Sequence, residues 1–296
     1  MRVAVTGAGG FIGSHVVAEL GHQPVETVAV VRAVSGVAGG DSPGHVVEMD
    51  IEQPGADPFD RMGRPDVLIH LAWGGLPNYR SPHHYDTELP AHLGFLKALI
   101  DAGLPSLFVA GTCLEYGMQS GVLREDMVAA PENSYGRAKD ALRRELEHLK
   151  AGTPFSLTWG RLFYMYGEGQ AETSLYPQLR RAVERGDPAF DMSGGDQLRD
   201  YLPVSEVARI IVALSICCRD QGIVNICSGN PVSIRSLAEG WVRDHQWGIV
   251  LNFGRESYAD HEPMAFWGDR SRLDSMLEGR SAPAPERRAA GRSTPR

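Results

Sequence analysis

Val3-Ala4-Val5-Thr6-Gly7-Ala8-Gly9-Gly10-Phe11-Ile12-Gly13 lies at the start of the chain, and a helix-favouring stretch, Ser14 to Leu20, follows it. An apolar strand, a glycine turn and a helix in that order build a site for the pyrophosphate of a dinucleotide. The glycines permit the tight turn and close backbone approach, and the helix N-terminus presents N–H donors and a partial positive charge. The spacing is Gly-x-x-Gly-x-x-Gly, through Gly7, Gly10 and Gly13. Gly7, Gly10, Phe11, Ile12 and Gly13 are therefore the expected pyrophosphate contacts. A glycine turn alone also occurs as plain structure, so its meaning depends on what lies downstream.

Downstream comes Tyr135-Gly136-Arg137-Ala138-Lys139, opening a charged, helix-favouring stretch to Lys150. Tyr and Lys at i and i+4 share one helical face. Val109-Ala110-Gly111-Thr112 ends an apolar run in a hydroxyl. Together Thr112, Tyr135 and Lys139 form a set able to polarise a carbonyl and protonate its oxygen. A tyrosine ordinarily ionises at about pH 10. An ammonium one turn away is expected to stabilise its phenolate.

With these pieces in order, the sequence resembles the extended short-chain dehydrogenase/reductases that act on nucleotide sugars. The resemblance covers residues 1 to about 278. It rests on the glycine turn, Asp50-Ile51, His70-Leu71-Ala72, Gly111-Thr112, Tyr135 with Lys139, Arg161, Tyr166-Gly167, Arg199-Asp200-Tyr201 and Asn225-Ile226-Cys227-Ser228-Gly229. It implies that Tyr135 is the catalytic acid/base, that Lys139 binds the nicotinamide ribose and that Thr112 holds the substrate oxygen. It also implies that Ile51, Leu71 and Ala72 line the cofactor and that Arg199 clamps a sugar-nucleotide diphosphate, a task suited to a planar guanidinium fork. Two positions depart from the pattern: Tyr164 and Glu88 stand where asparagines are usual.

Short apolar runs at Val3–Val5, Val25–Val31, His45–Met49, Val67–Leu71, Leu107–Ala110 and Phe155–Leu162 alternate with helix-like stretches, notably His92–Ala102 and Tyr135–Lys150. That rhythm predicts an α/β fold, a Rossmann-like doubly wound parallel sheet. By resemblance, residues 1–166 plus about 200–227 form the nucleotide-binding domain. Residues 167–199 plus about 228–278 form a smaller C-terminal substrate-binding lobe. The tail 279–296, rich in Pro, Ala, Ser and Arg, is expected to be disordered.

The 296 residues carry a net charge of −8, with 43% hydrophobic and 22% charged residues. This balance gives a nucleic-acid role no electrostatic support. No apolar run approaches a membrane span, and the early first strand leaves no room for a signal peptide. The four cysteines lack metal-type spacing and suit a reducing, cytoplasmic setting. His83-His84 reads as a loop feature, and no metal is expected. A homodimer is compatible with this reading.

Val28-Ala29-Val30-Val31 ends at Arg32, where NAD-preferring relatives carry an acid for the ribose 2′-hydroxyl. An arginine there suits a 2′-phosphate, so NADP(H) is expected ahead of NAD(H). Asp50 resembles the residue that bonds the adenine amino group, a plain loop aspartate being the alternative. Cys113-Leu114 replaces the Asp-Glu pair of 4,6-dehydratases and speaks against water loss; Cys113 is read as packing. The expected substrate is a nucleotide sugar, dTDP-linked by resemblance, and the expected reaction is NADPH-dependent reduction of the C4 ketone of a 4-keto-6-deoxyhexose. Trp73, Tyr79, Thr112, Glu115, Tyr164 and Arg199 are the candidate substrate contacts, with core packing the alternative for Trp73 and a structural carboxylate for Glu115. A nucleotide-sugar epimerase is the rival enzyme, and a non-catalytic NADP-binding sensor the rival of another class.

Overall fold

The computed structural model describes residues 1–33, 45–258 and 263–278. The chain runs β1 (Arg2–Thr6), α1 (Phe11–Leu20), β2 (Glu26–Val31), β3 (His45–Glu48), α2 (Pro58–Arg61), β4 (Val67–His70), a π-helical turn (His84–Glu88), α3 (Leu89–Asp101), β5 (Ser106–Thr112), a 3-10 turn (Cys113–Tyr116), β6 (Gly121–Leu123), α4 (Ser134–Lys150) and β7 (Ser156–Leu162). It continues through β8 (Tyr164–Tyr166), α5 (Leu175–Glu184), β9 (Ala189–Asp191), β10 (Leu198–Pro203), α6 (Val204–Ser215), β11 (Gly222–Ile226), β12 (Pro231–Ser233), α7 (Ile234–Asp244), β13 (Val250–Asn252), β14 (Phe266–Gly268) and α8 (Ser271–Glu278).

Seven strands form one sheet in the order β11-β7-β5-β4-β1-β2-β3. Every pairing in it is parallel. Both faces are covered, which explains the nearly unbroken apolar strands. Alternate side chains serve opposite layers. Val3 and Val5 face one core with Val16, Leu20 and Ile211, whereas Ala4 and Leu68 face the other with Leu96, Leu99 and Leu142. The strand order reverses between β1 and β4, and a doubly wound sheet binds its ligand in the crevice beyond the carboxyl ends at such a point.

Helix α4 faces this crevice. Its N-cap Asn133 accepts from the Gly136 N–H at 2.7 Å, and Ala138, Leu142 and Leu146, spaced by four, are all buried. That stripe seats the helix on the sheet; truncating one such leucine to alanine typically costs about 2–5 kcal/mol.

The later segments build a second set of layers. Strands β8 and β10 are parallel, β10 and β12 antiparallel. Helices α5 and α7 enclose a separate core of Leu179, Ala182, Met192, Ala238 and Trp241. Strand β10 belongs to this small sheet, so the return to the main sheet is made by α6 and β11. Among the described residues, no helix is long and apolar enough to cross a membrane. The expected tail, 279–296, lies outside the described residues.

Candidate active site

The glycine turn closes over the end of β1. Gly7 has φ +70°, and a Cβ there would lie 2.8 Å from the Ala72 nitrogen. A Cβ at Gly13 would meet the Gly7 carbonyl oxygen. Only glycine lets the first turn of α1 lie against the loop in this way. Gly10 caps α1 without a side-chain hydrogen bond, and the first turn has no acidic residue. Phe11, Ile12 and Gly13 therefore sit at an unblocked, electropositive helix end, which fits an anionic pyrophosphate. Leu71 and Ala72 follow β4 on the other side of the crevice. A cavity of about 120 Å³ beside them is lined by Arg32, Asp50, Ile51, Ala72, Trp73 and Glu88, among others. The fold thus brings Arg32, Asp50, Ile51 and Ala72 to one cavity, and the uncapped start of α1 lies against Ala72 through Gly7, an arrangement suited to an anionic group.

Tyr135, Lys139 and Thr112 come together from α4 and the end of β5. Tyr135 and Lys139 are 8% and 2% exposed, and Thr112 is buried too. A Cβ at Gly136 would lie 2.8 Å from the Leu114 carbonyl oxygen, so glycine after the tyrosine brings the 3-10 turn against α4. Thr112 caps that turn. Its Oγ1 accepts the Leu114 N–H at 3.2 Å, leaving the hydroxyl hydrogen to donate elsewhere.

The electrostatics differ from the expectation of a phenolate-stabilising lysine. Burial pushes the Tyr135 phenol well above its usual range, with Tyr79, Glu115 and Cys113 acting in the same direction. Burial also brings Lys139 down to about 7, against the opposing pull of Glu115 and Glu88. The Lys139 ammonium lies 5.8 Å from the Tyr135 ring centroid but 3.8 Å from that of Trp73. Desolvation of both partners outweighs their attraction. Tyr135 is consequently a neutral phenol at ordinary pH.

Glu115 lies beneath the crevice, not on its surface. It is fully buried. It accepts from the Thr112 N–H at 2.8 Å, Trp159 Nε1–H at 2.9 Å and Arg161 Nε–H at 2.7 Å. With its oxygens engaged by three protein donors, Glu115 takes the structural place that stood as the alternative to a substrate contact. Trp73 is likewise placed against Lys139 and the His92 ring (4.6 Å, 22°). Tyr79 is 40% exposed at the crevice mouth, and its ring is 5.6 Å from that of Tyr135. Its carbonyl accepts the Tyr135 N–H at 3.0 Å, tying the loop to the start of α4.

Arg199 and Tyr164 sit in the small lobe. Arg199 is 2% exposed, with its guanidinium 4.5 Å over the Phe266 ring and Nη1 donating to the Leu198 carbonyl at 2.9 Å. Tyr164 packs on Tyr201 at 5.3 Å. Asp200 beside Arg199 is buried and accepts the Ser228 and Gly229 N–H groups at 2.6 and 2.9 Å, pinning the turn after β11.

The sequence reading missed a buried polar string. Glu88 accepts from His92 Nε2 at 2.9 Å, from the Gly74 N–H at 2.8 Å and from His83 Nε2 at 2.9 Å. His92 Nδ1 and His70 Nε2 are 2.7 Å apart, and His70 Nδ1 meets Thr6 Oγ1 at 2.8 Å. His83-His84 is thus no plain loop feature: His84 enters the π-helical turn, buried, and accepts the Trp73 indole N–H at 3.2 Å. The i, i+4 spacing of Glu88 and His92 was the available signal.

The chain matches the NAD dependent epimerase/dehydratase family over residues 3–227 and belongs to it. A dTDP-6-deoxy-L-talose 4-dehydrogenase (NAD(+)) of Aggregatibacter actinomycetemcomitans is 28% identical over 277 residues, spanning 90% of this chain and 99% of that protein. The solved structure of MoeE5 in complex with UDP-glucuronic acid and NAD is 29% identical, with a TM-score of 0.78 over 94% of this chain and 93% of that one. A UDP-N-acetylglucosamine 4-epimerase of Methanobrevibacter ruminantium shares the fold, at 23% identity and a TM-score of 0.82, over 93% of this chain and 91% of that one.

Proposed function

We propose that this protein is a nucleotide-sugar oxidoreductase that reduces the C4 ketone of a 4-keto-6-deoxyhexose nucleotide. The observation that carries the reading is the convergence of Tyr135 and Lys139 on α4 with Thr112 at the end of β5, all three buried beside the glycine-turn crevice. Ketone reduction needs an acid at the carbonyl oxygen, and the Tyr135 hydroxyl beside Thr112 is the group placed to supply it. The dinucleotide, when bound, supplies the hydride. Tyr135 delivers its proton to the substrate oxygen, and the Thr112 hydroxyl, its acceptor side engaged by Leu114, donates to the same oxygen. Lys139 contributes positive charge while it remains protonated. The Cys113-Leu114 pair lacks the carboxylates of a dehydratase, and a 4-dehydrogenase matched over nearly its full length supports chemistry at C4. Arg199 is assigned to the diphosphate of the sugar nucleotide and Tyr164 to the sugar side of the small lobe.

Two observations oppose one another on the form of the cofactor. Arg32, lining the cavity with Asp50, suits a 2′-phosphate. The talose 4-dehydrogenase named above is an NAD(+) enzyme, and the MoeE5 structure holds NAD. Charge complementarity at Arg32 favours NADPH, and the two dissociation constants decide the question. The epimerase reading is kept as a second because UDP-glucose 4-epimerases also match, one at 25% identity over 229 residues. Incubation with either reduced dinucleotide and a 4-keto-6-deoxyhexose nucleotide tests both. Stoichiometric cofactor oxidation supports the reductase, a rearranged sugar without net oxidation supports the epimerase, and binding without turnover favours a sensor.

A further inference from the structure

Lys139 is buried among groups from five elements. His70 faces it from β4, His92 from α3, Glu88 from the π-helical turn, Glu115 from the 3-10 turn, and Tyr135 from its own helix. Its ammonium rests 3.8 Å from the centroid of the Trp73 ring. Trp73 is itself clamped, by its N–H to His84 Nδ1 at 3.2 Å and by stacking on His92. His84 in turn donates through Nε2 to the Asn78 carbonyl at 2.8 Å.

The polar string behind Trp73 has a single direction. A carboxylate only accepts, so His92 and His83 each donate through Nε2 to Glu88. Burial lowers the pKa of both His70 and His92, so each is a neutral ring with one donor and one acceptor. His92 Nδ1 therefore accepts from His70 Nε2–H, and His70 Nδ1 accepts the Thr6 hydroxyl. Every donor points toward Glu88, the sole charge in the string.

We propose that Trp73 and Glu88 are positioning residues for Lys139, the indole face seating its ammonium and the Glu88 carboxylate, fixed by His92, His83 and Gly74, holding His92 against that indole and joining Glu115 as counter-charge. This assigns Trp73 a place in the lysine's environment instead of on the sugar. The inference rests on reading Lys139 as part of the reacting set, but its test is read on the lysine itself.

The chain has only three lysines, Lys97, Lys139 and Lys150. Protein labelled with 13C at lysine Cε gives three signals, and the loss of one in Lys139→Met assigns it. In the wild type, the Lys139 protons are expected upfield of the other two through the indole ring current, and their titration midpoint near pH 7. Glu88→Gln, which keeps the shape and an acceptor for Gly74, is expected to move that midpoint down by roughly one pH unit. Trp73→Leu is expected to move it down and abolish the upfield shift, whereas Trp73→Phe, retaining a ring face, restores much of both. With turnover, the loss of activity as pH rises through the lysine midpoint shifts to lower pH in Glu88→Gln. A wild-type Lys139 signal without upfield displacement overturns the seat with no variant needed, even if Trp73→Leu fails to fold. A Glu88→Gln midpoint equal to that of the wild type overturns the counter-charge. Failure of the wild type to reduce any keto-sugar nucleotide would remove the functional reading and leave both titration results standing.

Discussion

Removing Glu115 tests the link between the buried frame and the reacting groups most directly. Its carboxylate is 0% exposed and its partner Arg161 is 1% exposed. Glu115→Leu leaves a buried guanidinium without its anion and strips the Trp159 and Thr112 N–H groups of their acceptor. Breaking a buried ion pair from one side typically costs about 3–5 kcal/mol. Each kcal/mol lowers the melting temperature of a chain of roughly this size by about 2–4 °C, so a fall of roughly 6–20 °C is expected. Replacing both partners, as Glu115→Leu with Arg161→Met, removes the uncompensated charge, and the pair should show a coupling of about 1–3 kcal/mol in a double-mutant cycle. Thermal unfolding by circular dichroism measures all four proteins. Because Glu115 also holds the Thr112 backbone, kcat should fall in both Glu115 variants even where stability recovers. A single variant melting close to the wild type, with additive effects in the double, would refute the reasoning.

Tyr135→Phe should retain dinucleotide binding and lose turnover by about 10²–10⁴-fold, the usual contribution of general acid catalysis, and wild-type kcat in this variant would remove Tyr135 from the chemistry. Arg32→Asp should weaken NADPH by about 10–150-fold, corresponding to about 1.5–3 kcal/mol for a charged hydrogen bond, with NADH affected less; equal wild-type constants for the two dinucleotides would show that Arg32 does not read the phosphate. Arg199→Ala should raise KM for the sugar nucleotide far more than it changes dinucleotide affinity, and calorimetry showing normal sugar-nucleotide binding in an early-melting variant would reduce Arg199 to its packing on Phe266. Stability should also fall with acid in two stages. His70 and His92 have folded pKa values below the unfolded 6.5, so the unfolded chain gains their protons first, and stability declines below pH 6.5 at up to about 1.4 kcal/mol per pH unit for each proton. For Glu88, burial alone would raise the pKa, but bonds from His92, Gly74 and His83 bring it to about 2; its contribution is complete above the unfolded value of 4.5 and is lost between there and about 2. Urea midpoints unchanged from pH 7 to pH 5 would contradict the neutral histidine assignment.

What was legible in the sequence was whatever depends on local spacing. Alternating apolar runs specify the parallel sheet because a strand covered on both faces must be apolar throughout. Gly7 and Gly13 are readable as glycines because the turn admits no Cβ there, and Tyr135 with Lys139 because i and i+4 share a helical face. Helices α5 and α7 were harder to see, since turn-rich segments interrupt the pattern around them. The cofactor crevice was legible through order: a strand, a glycine turn and a helix, with the Tyr135/Lys139 pair downstream, imply it.

Tertiary structure decided which side chains the burial enclosed together. Glu115 and Arg161, 46 positions apart, become an ion pair only when β7 lies beside β5 and the 3-10 turn folds under it. Trp73 meets Lys139, and His70 meets His92, because β4, α3 and α4 converge at one end of the sheet. Those contacts set the protonation of Tyr135 and Lys139. Local spacing predicted a lysine stabilising a phenolate, but desolvation reverses the balance, and desolvation is a property of the enclosing structure, not of the five residues that carry the motif.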